Sequence, residues 1–303
     1  MKTRNRHLIV IAGPTASGKT ACAIALAKAL QTEIISADAR QFYREIPIGT
    51  AAPTKEELSQ VPHHLVGQLS IHDAYDAGIY AEEVMTLLAQ LFQKFETVIL
   101  TGGSGLFVKA VTDGFDKFPD VPLDIREEVR VLYSNHGIQA LQHEVQLRDP
   151  DYFSLVDSQN PQRLMRALEI CLATGQPYSV FRKNQPVLRD FITHKYCIDI
   201  PRDKLYDRIN KRTDEMIANG WIEEARAVYP FRQLSALQTV GYKELFAHFD
   251  GEYDLSTAIS LIKQRTRNYA KRQLTWFRNT GGYRMLQEEE NTPANQILTQ
   301  LQS

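Results

Sequence analysis

Gly13-Pro14-Thr15-Ala16-Ser17-Gly18-Lys19-Thr20 fits the pattern GxxxxGK[ST] in full. Each residue type has a chemical reason. Backbone N–H groups grip a phosphate by coming close to it, and Gly13 and Gly18 permit that approach because they lack a Cβ. Lys19 adds a cation on a flexible stem, and the Thr20 hydroxyl can ligate Mg²⁺. A helix starting at the end of the loop points its positive dipole end at the anion. A plain strand-to-helix turn would explain the glycines but not the lysine and threonine. The motif reads phosphate, not the group that the phosphate carries. NTPases and ATP-dependent small-molecule kinases are therefore the first functional readings. A motor or a guanine-nucleotide switch fits poorly. The third apolar run ends in Thr101-Gly102-Gly103 rather than an acid, and no Asn-Lys-x-Asp occurs.

Asp38 closes a second apolar run. At the carboxyl edge of a sheet it would face the phosphate site, either beside a metal ion's own ligands or as a general base. A strand-end or helix-capping role is the structural alternative. Arg44 follows as a possible phosphate contact, though a lone arginine is more often a solvated charge. His63-His64 reads as structural, because adjacent histidines rarely chelate one ion. Lys263 to Arg278, KQRTRNYAKRQLTWFR, carries Lys263, Arg265, Arg267, Lys271, Arg272 and Arg278 without an acid, interleaved with Tyr269, Trp276 and Phe277. Such a stripe suits a nucleic-acid backbone. A helix with a solvated basic face and an aromatic core face is the plainer reading. Arg208, Arg212, Arg163 and Arg166 add positive charge elsewhere.

The elements that must position these residues follow from the apolar pattern. Leu8 to Ala12 reads as a buried parallel strand, and an Ala/Leu-rich helix runs from the glycine loop to about Leu30. Strands at Thr32–Ala37 and Thr97–Thr101 flank a helix from Tyr80 to Phe95. This alternation predicts an α/β fold: a P-loop NTPase-like parallel sheet with helices on both faces, whose ligands sit at the carboxyl ends of its strands. After about Phe118 the texture turns helical through Tyr178, and Lys195–Ile200 reads as a strand returning to the sheet. The expected organisation is a core of residues 1–117 and 191–303 and a helical insertion domain of residues 118–190. Helices dominate from Arg202 to Phe277, and an acidic turn after Gln287 precedes a surface helix.

The 303 residues are 43% hydrophobic and carry a net charge of −1, which excludes wholesale disorder and a uniformly basic coat. Any polyanion site must be a local patch. Cys22, Cys171 and Cys197 lie far apart, so neither a disulfide framework nor a structural zinc is expected, and a reducing cytoplasm suits them. No apolar run reaches a membrane span, and the basic start leads into a strand rather than a signal peptide. No membrane partner is expected, and the expected state is a monomer.

Five stretches, in order, resemble the tRNA dimethylallyltransferases, also called tRNA isopentenyltransferases: GPTASGKT (13–20), SADARQFYREIPIGTAAPT (36–54), LTGGSGLF (100–107), NPQRLMRALEI (160–170) and YAKRQLTWFR (269–278). VGYKE (240–244) and RTDEMIANG (212–220) also fit. The resemblance spans nearly the whole chain. It implies transfer of a dimethylallyl group from dimethylallyl diphosphate to N6 of the adenosine just 3′ of the tRNA anticodon. Thr15 to Thr20 would hold the diphosphate with Mg²⁺, Asp38 would be the general base, and Arg212 would match an arginine associated with the diphosphate. The anticodon stem-loop would be contacted by Asp38, Ala39, Arg40 and Gln41, by Gln162, Arg163, Leu164, Met165 and Arg166, and by parts of 238–243 and 266–273, which include Lys271 and Arg272. Ser104 and Arg126 fall where the family has residues important for tRNA binding. Ala39-Arg40-Gln41-Phe42 stands where Ser-x-Gln-Val is commoner, and Ser104 keeps the hydroxyl of a usual threonine. Lacking a C-terminal zinc-finger extension, the chain resembles the bacterial type. A kinase, or a P-loop protein that binds nucleic acid without transferase chemistry, remains the alternative.

Overall fold

A computed structural model describes residues 6–116, 118–183, 185, 187–287 and 292–302. The acidic turn expected at Glu288–Glu290 lies outside them. In chain order the elements are β1 (His7–Ala12), α1 (Lys19–Leu30), β2 (Ile34–Ser36), α2 (Lys55–Gln60), β3 (His63–His64), α3 (Ala77–Lys94), β4 (Thr97–Gly102) and α4 (Gly105–Thr112). Next come α5 (Leu123–Arg148), α6 (Pro150–Leu155), α7 (Pro161–Thr174) and α8 (Tyr178–Phe181). The remainder is β5 (Ile192–Asp199), α9 (Arg202–Ala218), α10 (Trp221–Val228), α11 (Tyr242–Phe249), α12 (Leu255–Thr280), β6 (Arg284–Gln287) and α13 (Pro293–Gln302). The chain forms two compact units, Met1–Asp113 with Arg189–Ser303, and Gly114–Leu188.

In the first unit the described strands form one parallel sheet in the order β3-β2-β4-β1-β5-β6. Side chains alternate across a strand, so β1 sends Leu8, Val10 and Ala12 into one core and Ile9 and Ile11 into the other. The first core is covered by residues of α3, α4 and α12, the second by residues of α1, α9 and α13. Both faces are thus sealed, which is why the strands read as continuous apolar runs. Register sets the site. Ala12 pairs with Gly102 on one side and Cys197 on the other, and Ser36 pairs with Thr101. The loops leaving β1, β2, β4 and β5 therefore start from one edge. A third core joins Tyr43, Ile46 and Ile71 to Trp221, Tyr242, Phe246 and Ile262.

Two strands depart from the expectation. His63 and His64, which the apolar pattern did not mark as a strand, pair with Ile34 and Ile35 as the edge strand β3, and His64 Nε2 sits 2.6 Å from Glu33. β6 adds beside β5 at the other edge. Both are too short for periodicity to reveal them.

The second unit is helical. Its core is Val129, Leu141, Val145, Tyr152, Leu164, Ala167 and Leu168. Gly137 (φ 69°) interrupts the helical dihedrals of α5. Buried Asp149 caps α6 by accepting from the Tyr152 amide at 2.9 Å, and it accepts from the amide and hydroxyl of Ser179 at 2.7 and 2.9 Å. One carboxylate so fixes both short helices.

Candidate active site

The cradle leaves β1 and enters α1. At Gly13 (φ 152°) a Cβ would lie 2.9 Å from Ser17 Oγ and 3.0 Å from the Ile198 carbonyl. The loop is squeezed against β5, and only glycine fits. Gly18 differs: space is open around it, but its φ of 83° is left-handed, so the backbone turn, not crowding, demands glycine. Ala16 takes a similar φ of 63°.

The cradle's donors are turned on the protein itself. Lys19 Nζ donates to the Pro14 carbonyl at 2.7 Å, the Thr15 amide donates to Gln273 Oε1 at 2.9 Å, and the Arg212 guanidinium donates to Thr15 Oγ1. Burial pulls the Lys19 ammonium down to about 8; Asp38 opposes that shift and Arg212 adds to it. Burial also lowers the Arg212 pKa, again against the pull of Asp38. One carboxylate therefore acts on both cations beside the phosphate loop. Two cations and one carboxylate beside a glycine loop have the charge to hold an anionic phosphate group with a carboxylate beside it.

Asp38 is half-buried, and its Oδ1 accepts from the Arg40 amide at 3.1 Å. Its segment is strapped to the loop after β4. Ala37 N–H donates to the Thr101 carbonyl at 2.7 Å, Ser104 N–H to the Ala37 carbonyl at 3.3 Å, and Ala39 N–H to Ser104 Oγ at 2.9 Å. Gln41 Nε2 donates to the Ala51 carbonyl at 2.9 Å, holding the following loop, and Arg40 is half-buried. Glu224 anchors the same loop, accepting from the Ile48 and Gly49 amides at 2.8 Å each and from the Tyr242 hydroxyl at 2.5 Å. Arg44 lies exposed and donates to the Leu69 carbonyl at 3.3 Å.

Thr20 stands half-buried on the first turn of α1. Among the described residues no group of three or more His, Cys, Asp or Glu could hold a metal ion by itself. A Mg²⁺ here would suit a single hydroxyl ligand with the substrate's own phosphate oxygens and water, the donor set that this ion prefers.

The positive stripe is narrower than its sequence suggests. Lys263 pairs with Asp214 at 2.6 Å, Arg265 with buried Glu244 at 2.5 Å and Arg278 with Asp199 at 2.7 Å, while Arg267 donates to Asn210 at 2.7 Å. Four of the six cations are thus committed within the fold. Lys271 and Arg272 are exposed and line an open groove with Asn268, Thr275 and Trp276. Tyr269 lies beneath Arg272, whose guanidinium is 5.8 Å from the ring centroid. Burial pushes its hydroxyl up to about 12, with Asp38 adding to the rise.

In the helical unit Arg126 is exposed on the first turn of α5. Asn160 caps α7, where Gln162 and Arg163 are exposed, Met165 and Arg166 half-buried and Leu164 fully buried. The Leu164 side chain serves the core. Arg166 lies 5.9 Å from the Phe118 ring and 3.5 Å from Glu169. Gln273, Glu224 and Glu244 are groups that residue patterns alone did not single out. A polar Gln273 inside the apolar stripe Ala258, Ile262, Ala270 and Phe277 was the available signal.

A parallel α/β sheet with a phosphate cradle at its carboxyl edge defines a P-loop protein. Residues 41–280 match the family described as IPP transferase, and the chain belongs to that family. It is 48% identical to the tRNA dimethylallyltransferase of Christiangramia forsetii over 288 residues, 95% of each chain. It is 46% identical to tRNA dimethylallyltransferase 1 of Bacteroides fragilis over 298 residues, 98% of each. The crystal structure of the tRNA isopentenylpyrophosphate transferase of Bacillus halodurans superposes with a TM-score of 0.71 at 34% identity, covering 97% of this chain and 94% of that one. The chain is a prenyltransferase, and the kinase reading is set aside. No described helix is long and apolar enough to cross a membrane.

Proposed function

We propose that the protein transfers a dimethylallyl group from dimethylallyl diphosphate to N6 of the adenosine 3′-adjacent to the anticodon of tRNA. The observation that carries this reading is the geometry at the phosphate loop: Lys19 and Arg212 bond to the cradle, and the segment carrying Asp38 is strapped to the loop after β4 at the same sheet edge. The relatives' names supply tRNA as acceptor and dimethylallyl as the group transferred.

The chemistry follows from these groups. An exocyclic adenine amine is a weak nucleophile because its lone pair is delocalised into the ring. Asp38 takes the N6 proton as the N6–C1 bond forms and the C1–oxygen bond to diphosphate breaks. Positive charge spreads over the allylic carbons, and negative charge grows on the departing oxygens. Lys19, Arg212 and the loop amides meet that growing charge, so they favour the transition state over the ground state. Binding turns Lys19 from the Pro14 carbonyl to the diphosphate. Thr20 would hold Mg²⁺, which supplies further charge neutralisation on the diphosphate. The target base is extruded from the anticodon loop to reach Asp38. Lys271 and Arg272 hold the RNA backbone, with Ala39, Arg40, Gln41, Ser104, Arg126, Gln162, Arg163, Met165 and Arg166 as further tRNA contacts. The helical unit 114–188 serves as the tRNA-contacting insertion.

All proposed catalytic groups come from one chain, which suits a monomer, and three buried free thiols suit the cytoplasm. The test is incubation of purified protein with labelled dimethylallyl diphosphate, Mg²⁺ and unmodified tRNA. Label on the expected adenosine supports the reading, whereas RNA left unlabelled while other acceptors react overturns it.

A further inference from the structure

Gln273 is a buried polar side chain in the middle of an apolar helix stripe. Its amide is used at both ends. Oε1 accepts from the Thr15 amide at 2.9 Å, and Nε2 donates to the Gly103 carbonyl at 2.8 Å. It thereby spans two loops that are separate in sequence, the phosphate cradle and the turn after β4. That turn continues into Ser104, whose backbone and hydroxyl bind Ala37 and Ala39 on either side of Asp38. A side chain at residue 103 is excluded by the strut itself, since a Cβ there would lie 2.4 Å from Gln273 Nε2.

We infer that Gln273 is a positioning residue for prenyl transfer: it sets the spacing between the diphosphate cradle and the segment carrying Asp38. The inference rests on the transferase reading above. Transfer needs the departing C1–oxygen bond and the incoming nitrogen in line, and small misplacements of reacting groups are costly. Only an amide serves both ends. A carboxylate would oppose the Gly103 carbonyl with an acceptor and place a negative charge beside a diphosphate site. An apolar side chain of similar volume would leave a buried N–H and a buried C=O without partners.

The test compares Gln273→Met and Gln273→Glu with the wild type in steady-state and single-turnover prenyl transfer, alongside tRNA Kd and thermal melting. For Gln273→Met we expect kcat to fall by about 10²-fold at saturating substrates, with tRNA Kd within about twofold of wild type. Gln273→Glu should add a rise in KM for dimethylallyl diphosphate. Unchanged kcat overturns the inference, whether Tm falls or not. A loss confined to tRNA affinity overturns it too, because Gln273 would then be an RNA contact. Gly103→Ala strains the strut from its other end and should lower kcat in the same way, which keeps the inference testable if Gln273→Met fails to fold. Adding Gly103→Ala to Gln273→Ala should then cost nothing further. Wild-type transfer is the control: its absence removes the transferase reading, whereas normal transfer by both variants removes only the strut.

Discussion

Lys19 and Lys271 are both placed to meet phosphate, in opposite settings. Lys19 sits in the cradle, bonded to the Pro14 carbonyl, attracted by Asp38 and repelled by Arg212, and burial draws its pKa to about 8. Lys271 stands exposed beside Arg272 on an open face of α12. A desolvated cation is oriented, tunable and strong in its effect on a reacting group. A solvated cation is screened by salt and contributes affinity without directing chemistry. Elsewhere on α12, Arg265 pairs with buried Glu244 and supports the fold.

This contrast is broken or sharpened by a graded set of experiments. The largest effect is expected from Asp38→Ala, which should cut single-turnover prenyl transfer by about 10³-fold while leaving tRNA Kd within a few-fold. Equal losses in rate and affinity would make Asp38 a tRNA contact instead. Arg265→Ala strips Glu244 of its ion pair and should cost about 1–3 kcal/mol in urea unfolding. The salt dependence of tRNA binding should stay unchanged. A change in that dependence would place Arg265 with the open cations. Lys271→Ala and Arg272→Ala should each weaken tRNA binding roughly severalfold and reduce the slope of log affinity against log salt by about 1, with kcat kept at saturating tRNA. An unaltered slope would return this helix to a purely structural role. The smallest effect is in pH dependence. The ammonium form of Lys19 is the one that holds diphosphate, so donor affinity should be full below its pKa and decline as pH rises through about 8. Donor KM measured across that range checks this. A decline appearing only near the ordinary lysine value of 10.5 would show that the cradle leaves Lys19 solvated.

Much of the molecule was legible in the residues. GPTASGKT announces its loop because phosphate binding fixes residue types at short spacing, and β1 and β4 announce themselves because both faces are sealed. The basic run was legible only in part. Composition gives six cations, but their partners Asp214, Glu244, Asn210 and Asp199 lie on other elements, and only packing reveals them. Glu224 gave no local sign of its role, since the amides it binds belong to residues 48 and 49.

Local chemistry determined what the sequence alone could express: the left-handed turn at Gly18, the alternation that seals the sheet, and the motif order that marks the family. Tertiary structure decided which of those pieces touch. Arg212 reaches Thr15 across 197 residues and Gln273 reaches it across 258, and no spacing rule predicts either contact. The reason is physical. Short-range pattern follows from dihedral and side-chain preferences within a few residues, whereas a site between loops depends on the strand register that brings Ala12, Gly102 and Cys197 to one edge.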